Sequence, residues 1–178
     1  MSDKPTLATV WLDGCSGCHM SFLDMDERLL EIAKQADLVY SPLVDRKEFP
    51  ELVDVTLVEG AVSSTEDLEK IRKIRRHTKT LVSLGDCAVT SNVSAMRNPF
   101  PVDQVLARAY IENISEAGQV PASPLIPRLL AHARPVHEVV PVDVFIPGCP
   151  PPADLIFTIL EDLLAGRLPS ATGLRFGR

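Results

Sequence analysis

Four cysteines stand in this sequence: Cys15 and Cys18 as a C-x-x-C pair, then Cys87 and Cys149 as singlets. Thiolates are what iron-sulfur clusters and structural zinc ions take as ligands, and a C-x-x-C pair is also the motif of redox dithiols. Glycines accompany each of them. Gly14 precedes and Gly17 sits within the pair, Gly85 lies two residues before Cys87, and Gly148 directly precedes Cys149. A residue without a Cβ lets backbone come close to a bulky inorganic group and adopts positive φ readily. Pro147 and the run Pro150-Pro151-Pro152 would stiffen the loop of the last cysteine.

Each cysteine segment follows a short apolar run that reads as a buried strand: residues 9–12, 81–84 and 142–146. Residues 54–58 form another such run, ending in Glu59-Gly60, so a fourth strand end reaches the same place. Strand and helix signals alternate along the first hundred residues, which predicts an α/β fold with a parallel sheet. Ligands of such sheets gather at the carboxyl ends of the strands. The four thiols would therefore meet there although they are far apart in sequence.

Between these strands, residues 20–35 read as one helix with Phe22, Leu29, Leu30, Ile32 and Ala33 apolar, followed by a strand at 37–40. Ser63 and Glu66 form a capping-box pattern ahead of a helix that buries Leu68, Ile71 and Ile74. Residues 97–140 are proline-rich, with helices expected near 102–111 and 125–133; this stretch is placed to cover the site or a partner. A last helix follows the three prolines, buries Leu155, Ile156, Ile159, Leu160, Leu163 and Leu164, and ends near Gly166. Residues 1–178 read as a single domain, with 169–178 as a tail.

Composition narrows the function. A net charge of −6 and a pI near 5.2 argue against a sequence-independent grip on nucleic acid or an anionic membrane. The basic run Lys70, Arg72, Lys73, Arg75, Arg76 and Lys79 follows Glu66, Asp67 and Glu69, the charge order that complements a helix dipole on a solvated face. No apolar stretch approaches the ~20 residues of a membrane helix, and no leader precedes the first strand, so the expected location is the cytoplasm. Cysteines in that compartment serve metals or redox chemistry more than disulfides. A mean hydropathy of +0.11 with 24% charged residues suggests that partner subunits cover part of the surface. Spacing favours an iron-sulfur cluster over four-cysteine zinc, because two distant singlets on an α/β core are unlike paired zinc knuckles. A thioredoxin-type dithiol would leave Cys87 and Cys149 without a role.

Cys15-Ser16-Gly17-Cys18-His19-Met20-Ser21, Val58-Glu59-Gly60-Ala61, Gly85-Asp86-Cys87-Ala88 and Pro147-Gly148-Cys149-Pro150-Pro151, in this order, resemble the small subunit of nickel-iron hydrogenases and the homologous cluster subunit of respiratory complex I. The resemblance spans about residues 6–165 and is closest to the short small subunits of cytoplasmic NAD-reducing (bidirectional) nickel-iron hydrogenases. Longer members carry a C-terminal extension with further cysteines and a histidine, for which this sequence has no counterpart. The resemblance implies a flavodoxin-like open parallel sheet with helices on both faces. It also implies one 4Fe-4S cluster on Cys15, Cys18, Cys87 and Cys149, with Gly14, Gly17, Gly85 and Gly148 around it.

The implied partners are a hydrogenase large subunit holding the nickel-iron centre and diaphorase subunits with further clusters and flavin that reduce NAD+. The whole would be a hydrogen:NAD+ oxidoreductase, with no complete active site in this chain. Glu59 has two readings: a structural acid that accepts backbone hydrogen bonds at a helix start, or, since it matches a glutamate of the family motif, a group at the subunit boundary that handles protons or hydrogen bonds there. Asp86 stands where the family frequently has threonine.

Smaller readings follow from the residues. The loop after the first strand lacks the Ser/Thr donors that cradle a flavin phosphate, so FMN is not expected in this chain, and no G-x-G-x-x-G or Walker A motif places NAD or ATP here. His19 is open between a bond to the cluster and a polar helix start. Trp11 is expected in the core, and His77, His132 and His137 have no ligand spacing. Asp13 and Asp86 are expected to cap helix starts or to place negative charge by a cluster.

Overall fold

The computed structural model describes residues 4–169. Its elements in chain order are β1 (Thr6–Trp11), α1 (Gly17–Leu23), α2 (Arg28–Gln35), β2 (Asp37–Tyr40), β3 (Val53–Glu59), β4 (Val62–Ser64), α3 (Thr65–Arg76), β5 (Thr78–Leu84), α4 (Gly85–Thr90), α5 (Val102–Ala107), β6 (Leu129–Arg134), β7 (Val144–Ile146) and α6 (Ala153–Leu164). Five strands form one parallel sheet in the order β2-β1-β3-β5-β7, the strand order of a flavodoxin-like sheet, while β4 and β6 pair antiparallel beside it.

Alternation along the central strands feeds two cores. Val55, Leu57, Val82, Leu84 and Ile146 pack with Phe22, Met25, Ile32, Ile156, Ile159 and Leu160, whereas Val10, Val58 and Leu81 pack with Ile71, Ile74, Ala88, Val136 and Val140. Thus α1, α2 and α6 cover one face, and α3 and α4 cover the other. Burial on both faces is why β3 and β5 read as nearly continuous apolar runs.

Three local expectations are corrected. The helix read over 20–35 is two helices, because Asp26 takes a left-handed turn (φ 51°) while Met25 beside it drops into the core at 1% exposure. The capping box lies one residue later: Asp67 N–H donates to Ser64 Oγ (3.1 Å) and Ser64 N–H donates to Asp67 Oδ2 (3.0 Å), since β4 runs through Ser64 before α3 begins. No helix forms over 125–133. Pro127 interrupts it, and Leu129–Arg134 instead pairs with β4, opposing Val62 to Arg134 and Ser64 to Leu129.

The helix near 102–111 is present as α5, continued by a wider turn over Arg108–Glu112. Gly166 (φ 71°) closes α6 by donating its N–H to Leu163 O (3.0 Å). Beyond Pro169, the expected tail lies outside the described residues. No helix among the described residues is long and apolar enough to cross a membrane.

Candidate metal centre

The parallel register aligns the strand ends in a row. Trp11 lies beside Glu59, Glu59 beside Leu84, and Leu84 beside Ile146. The chain leaves each of these positions toward the same edge, so Cys15, Cys87 and Cys149 follow within four residues of the row and Cys18 lies on the first turn of α1. Cys18 and Cys87 are buried and Cys15 and Cys149 exposed, all four as free thiols. The four cysteines thus lie at one edge of the sheet.

Burial pushes the Cys18 thiol up most, and the charge of Glu59 and the neighbouring Cys87, Cys15 and Cys149 push it further. Cys87 is raised by burial first and by Cys15, Cys149 and Glu59, against a Val93 N–H bond that favours its thiolate. The neighbouring thiols thus disfavour the ionisation of Cys18 and Cys87. A bound cationic group reverses that logic by stabilising all the thiolates together.

Backbone closes around the sulfurs. A Cβ on Gly85 (φ 81°) would stand 2.1 Å from Cys18 Sγ, so no side chain fits there. A Cβ on Gly17 would lie 3.3 Å from Cys15 Sγ, and one on Gly14 would lie 3.3 Å from Gly60 Cα. Among the described residues, no three His, Cys, Asp or Glu side chains are grouped as a single metal ion would need them. A tetrahedral zinc shell, with Zn–S bonds of about 2.3 Å, requires its sulfurs within about 4 Å of one another. An iron-sulfur cluster places each thiolate on a different iron and accepts a wider set.

Side chains tie the cysteine segments together. Ser16, at the start of α1, caps nothing; the carboxylate of Glu59 does so from β3, accepting Cys18 N–H (3.3 Å) on Oε1 and His19 N–H (2.8 Å) on Oε2. The same Oε2 also contacts His19 Nδ1, with both side chains buried. His19 therefore faces Glu59, and its Nε2 is buried without a hydrogen-bond partner. Ser21 Oγ donates to Pro151 O (2.5 Å), joining α1 to the Cys149 loop. Asn92 Nδ2 donates to Cys149 Sγ (3.5 Å), and Ser94 Oγ to Asp13 O (3.1 Å).

Several expectations change here. Trp11 is 37% exposed and stacks on the His19 ring at 5.8 Å, since it faces away from the core that Val10 and Leu12 on either side of it enter. Asp13 joins Ala61 through paired backbone bonds, and Asp86 binds the Gly148 backbone, so neither serves mainly as a helix cap. His77 Nδ1 meets the Glu51 carbonyl (2.7 Å) at the opposite edge. Asn92 and Ser21 had no cysteine-like signal. Only the polar Ser91-Asn92 pair just after the Cys87 helix hinted at a turn returning to the site.

Comparison with known proteins places this arrangement. A family described as NADH ubiquinone oxidoreductase, 20 Kd subunit, matches residues 15–163, from the first cysteine to the end of α6. The chain belongs to this family. Within it, the chain is 46% identical over 175 residues to the delta subunit of the NAD-reducing hydrogenase HoxS of Cupriavidus necator, covering 94% of this chain and 84% of that protein. It is 39% identical to one subunit of the F420-non-reducing hydrogenase of Methanothermobacter marburgensis, where 96% of this chain spans 58% of that protein. A chain in a crystal structure of an NAD+-reducing NiFe-hydrogenase superposes with a TM-score of 0.92 at 41% identity, over 97% of this chain and 99% of that one. A chain of the Desulfomicrobium baculatum Ni-Fe-Se hydrogenase, at 18% identity and a TM-score of 0.59, shares the fold.

Proposed function

We propose that this chain is the electron-transfer small subunit of an NAD-reducing nickel-iron hydrogenase, carrying one 4Fe-4S cluster on Cys15, Cys18, Cys87 and Cys149. The observation that carries this is the row of strand ends that delivers four electrostatically coupled thiols to one edge. Similarity to hydrogenase subunits supports an electron-transfer role in a hydrogenase, and the 0.92 superposition favours the NAD-reducing kind over another hydrogenase or a complex I-like assembly. When bound, such a cluster takes up and returns single electrons.

The chain's own residues prepare the place. Gly85 leaves room for Cys18, the Val93 N–H and Asn92 amide donate toward sulfurs, and burial of Cys18 and Cys87 limits water. Exposed Cys15 and Cys149 mark the side from which a partner would approach. The neighbouring 3₁₀ turn, Asn92–Arg97, shows Val93 at 61% and Met96 at 74% exposure, an apolar border suited to a large subunit. In this reading the large subunit holds the nickel-iron centre, and diaphorase subunits hold flavin, bind NAD and receive the electrons. The location is the cytoplasm, and residues 1–178 act as a single domain.

Glu59 belongs to the same proposal as a group that handles protons or hydrogen bonds at the subunit boundary. Its buried contact with His19, whose Nε2 has no partner among the described residues, supports a continuation beyond it.

Anaerobic purification tests the reading. The expected product is brown, contains iron and sulfide, gives a cluster electron paramagnetic resonance (EPR) signal on reduction, and co-purifies with hydrogenase and flavin-containing subunits. A colourless protein with one zinc per chain would end it.

A further inference from the structure

Cys149 has the least secure mounting of the four cysteines. It follows β7, a three-residue strand at the sheet edge paired only to β5. The ladder pairs Val82 with Val144, Ser83 with Phe145 and Leu84 with Ile146, then stops because β5 turns into α4 at Gly85. Yet a pair two positions further on in the same register is made. Asp86 N–H donates to Gly148 O (2.8 Å), and Gly148 N–H donates to Asp86 Oδ1 (2.7 Å), so both polar backbone atoms of Gly148 are held by one residue. The side chain thus supplies the acceptor that a continuing strand would have supplied with its carbonyl. Asp86 is 6% exposed.

The other end of β7 shows the same device. Asp143 N–H donates to Leu81 O (3.0 Å), and Leu81 N–H donates to Asp143 Oδ2 (2.7 Å). The edge strand is pinned at both ends by two-point aspartate contacts. Only the Asp86 contact lies between residues adjacent to two candidate ligands, Cys87 and Cys149. Gly148 is suited to it, since its φ of 142° and a Pro151 Cα that would lie 2.6 Å from any Cβ leave no room for a side chain.

We propose that Asp86 is a positioning residue that sets Cys149 against Cys87 and so closes the fourth corner of the cluster site; this rests on the cluster reading above. It acts through the Gly148 backbone and touches neither sulfur in that role. Asparagine at this position keeps the accepting oxygen, alanine removes it, and Asp143→Ala removes the matching contact at the far end of the same strand.

The test uses the full chain purified anaerobically from cells that make its partner subunits, with iron and sulfide content, the EPR spectrum of the reduced protein and thermal unfolding all measured. Asp86→Ala is expected to lose most of its iron or to give an altered EPR spectrum. Asp86→Asn should retain the iron and its spectrum, and Asp143→Ala should lower the melting temperature while keeping both. Full iron and an unchanged spectrum in Asp86→Ala would overturn the proposal. So would equal loss in the alanine and asparagine variants, which would assign the role to charge. Unsubstituted protein lacking iron and sulfide would overturn the cluster reading and this inference with it, an outcome separable because it is read without any variant.

Discussion

The two ends of the parallel sheet treat their polar groups differently. At the amino end, Asp54 accepts the Thr6 N–H and hydroxyl and pairs with Lys79, Asp143 pairs with Arg75, and His77 meets the Glu51 carbonyl. At the carboxyl end, burial and neighbouring charges push the Cys18 and Cys87 thiols up, and the buried atoms without partners among the described residues are His19 Nε2, Ser83 Oγ and Ser91 Oγ, all on or beside segments leading to the cysteines. One end is satisfied within the chain. The other leaves those atoms open, and in the proposed reading a metal group and a partner would complete it.

The largest expected effect comes from the cysteines themselves. Cys18→Ser or Cys87→Ser should abolish a stable cluster and H2-driven NAD+ reduction, with Cys15→Ser and Cys149→Ser also impaired, as read by iron content and activity. A variant with full iron and full activity removes that cysteine from the ligand set. Gly85→Ala comes next: a Cβ 2.1 Å from Cys18 Sγ at φ 81° should lower both iron content and thermal stability, by about 1–3 kcal/mol or more for the strained backbone alone. Normal iron and stability in that variant would show that the carboxyl edge yields more easily than its close contacts indicate.

Glu59→Gln sharpens the contrast more gently. Because the carboxylate is 1% exposed and serves two backbone donors and His19, the expected loss is about 1–3 kcal/mol in denaturant unfolding, above the cost of a simple exposed cap. Activity, H/D exchange and cluster reduction should be followed together. If all three stay normal, Glu59 is a structural acid and protons leave through the large subunit.

The smallest effect belongs to the amino end. Burial alone would raise the Asp54 carboxyl, but the bond and charge of Lys79 and two bonds from Thr6 outweigh it and hold it below the usual carboxylate range. A carboxylate with a lowered folded pKa stabilises the fold above its unfolded value, about 3.9, and loses that contribution as pH falls through the folded value. Asp54→Asn should therefore be less stable than the parent at pH 7, with the gap in urea midpoints narrowing below about pH 4. A gap independent of pH would show that the Thr6 bonds alone matter.

Much of this was legible from residue order. The strand runs before each cysteine, the glycines beside them and Glu59 at a fourth strand end pointed to one sheet edge, and the register does bring those strand ends side by side, because parallel sheets present strand ends in a common row. What stayed hidden were contacts whose partners are distant in sequence. Ser21 reaching Pro151 and Asp86 reaching Gly148 depend on register, which periodicity does not specify, whereas Glu59 accepting backbone bonds at a helix start was among the sequence readings. The proline-rich region misled for another reason: Leu129–Arg134 is an apolar run short enough to be helix or strand, and its pairing with β4 decides. Trp11 misled because strand membership does not say how well each face is covered: Val10 and Leu12 enter the core on one face, while Trp11 on the other is covered only in part.

The spread of the cysteines from position 15 to position 149 also orders events in time. During synthesis, the first pair leaves the ribosome several seconds or more before the last cysteine is made, at about 5–20 residues per second. No fragment ending before β7 contains the full set, so a nascent chain offers only two or three thiols to passing metals. If the proposed cluster is held by all four cysteines, its delivery must wait until Cys149 beyond the edge strand has been made, and occupancy of the site would report that the chain through β7 has been translated.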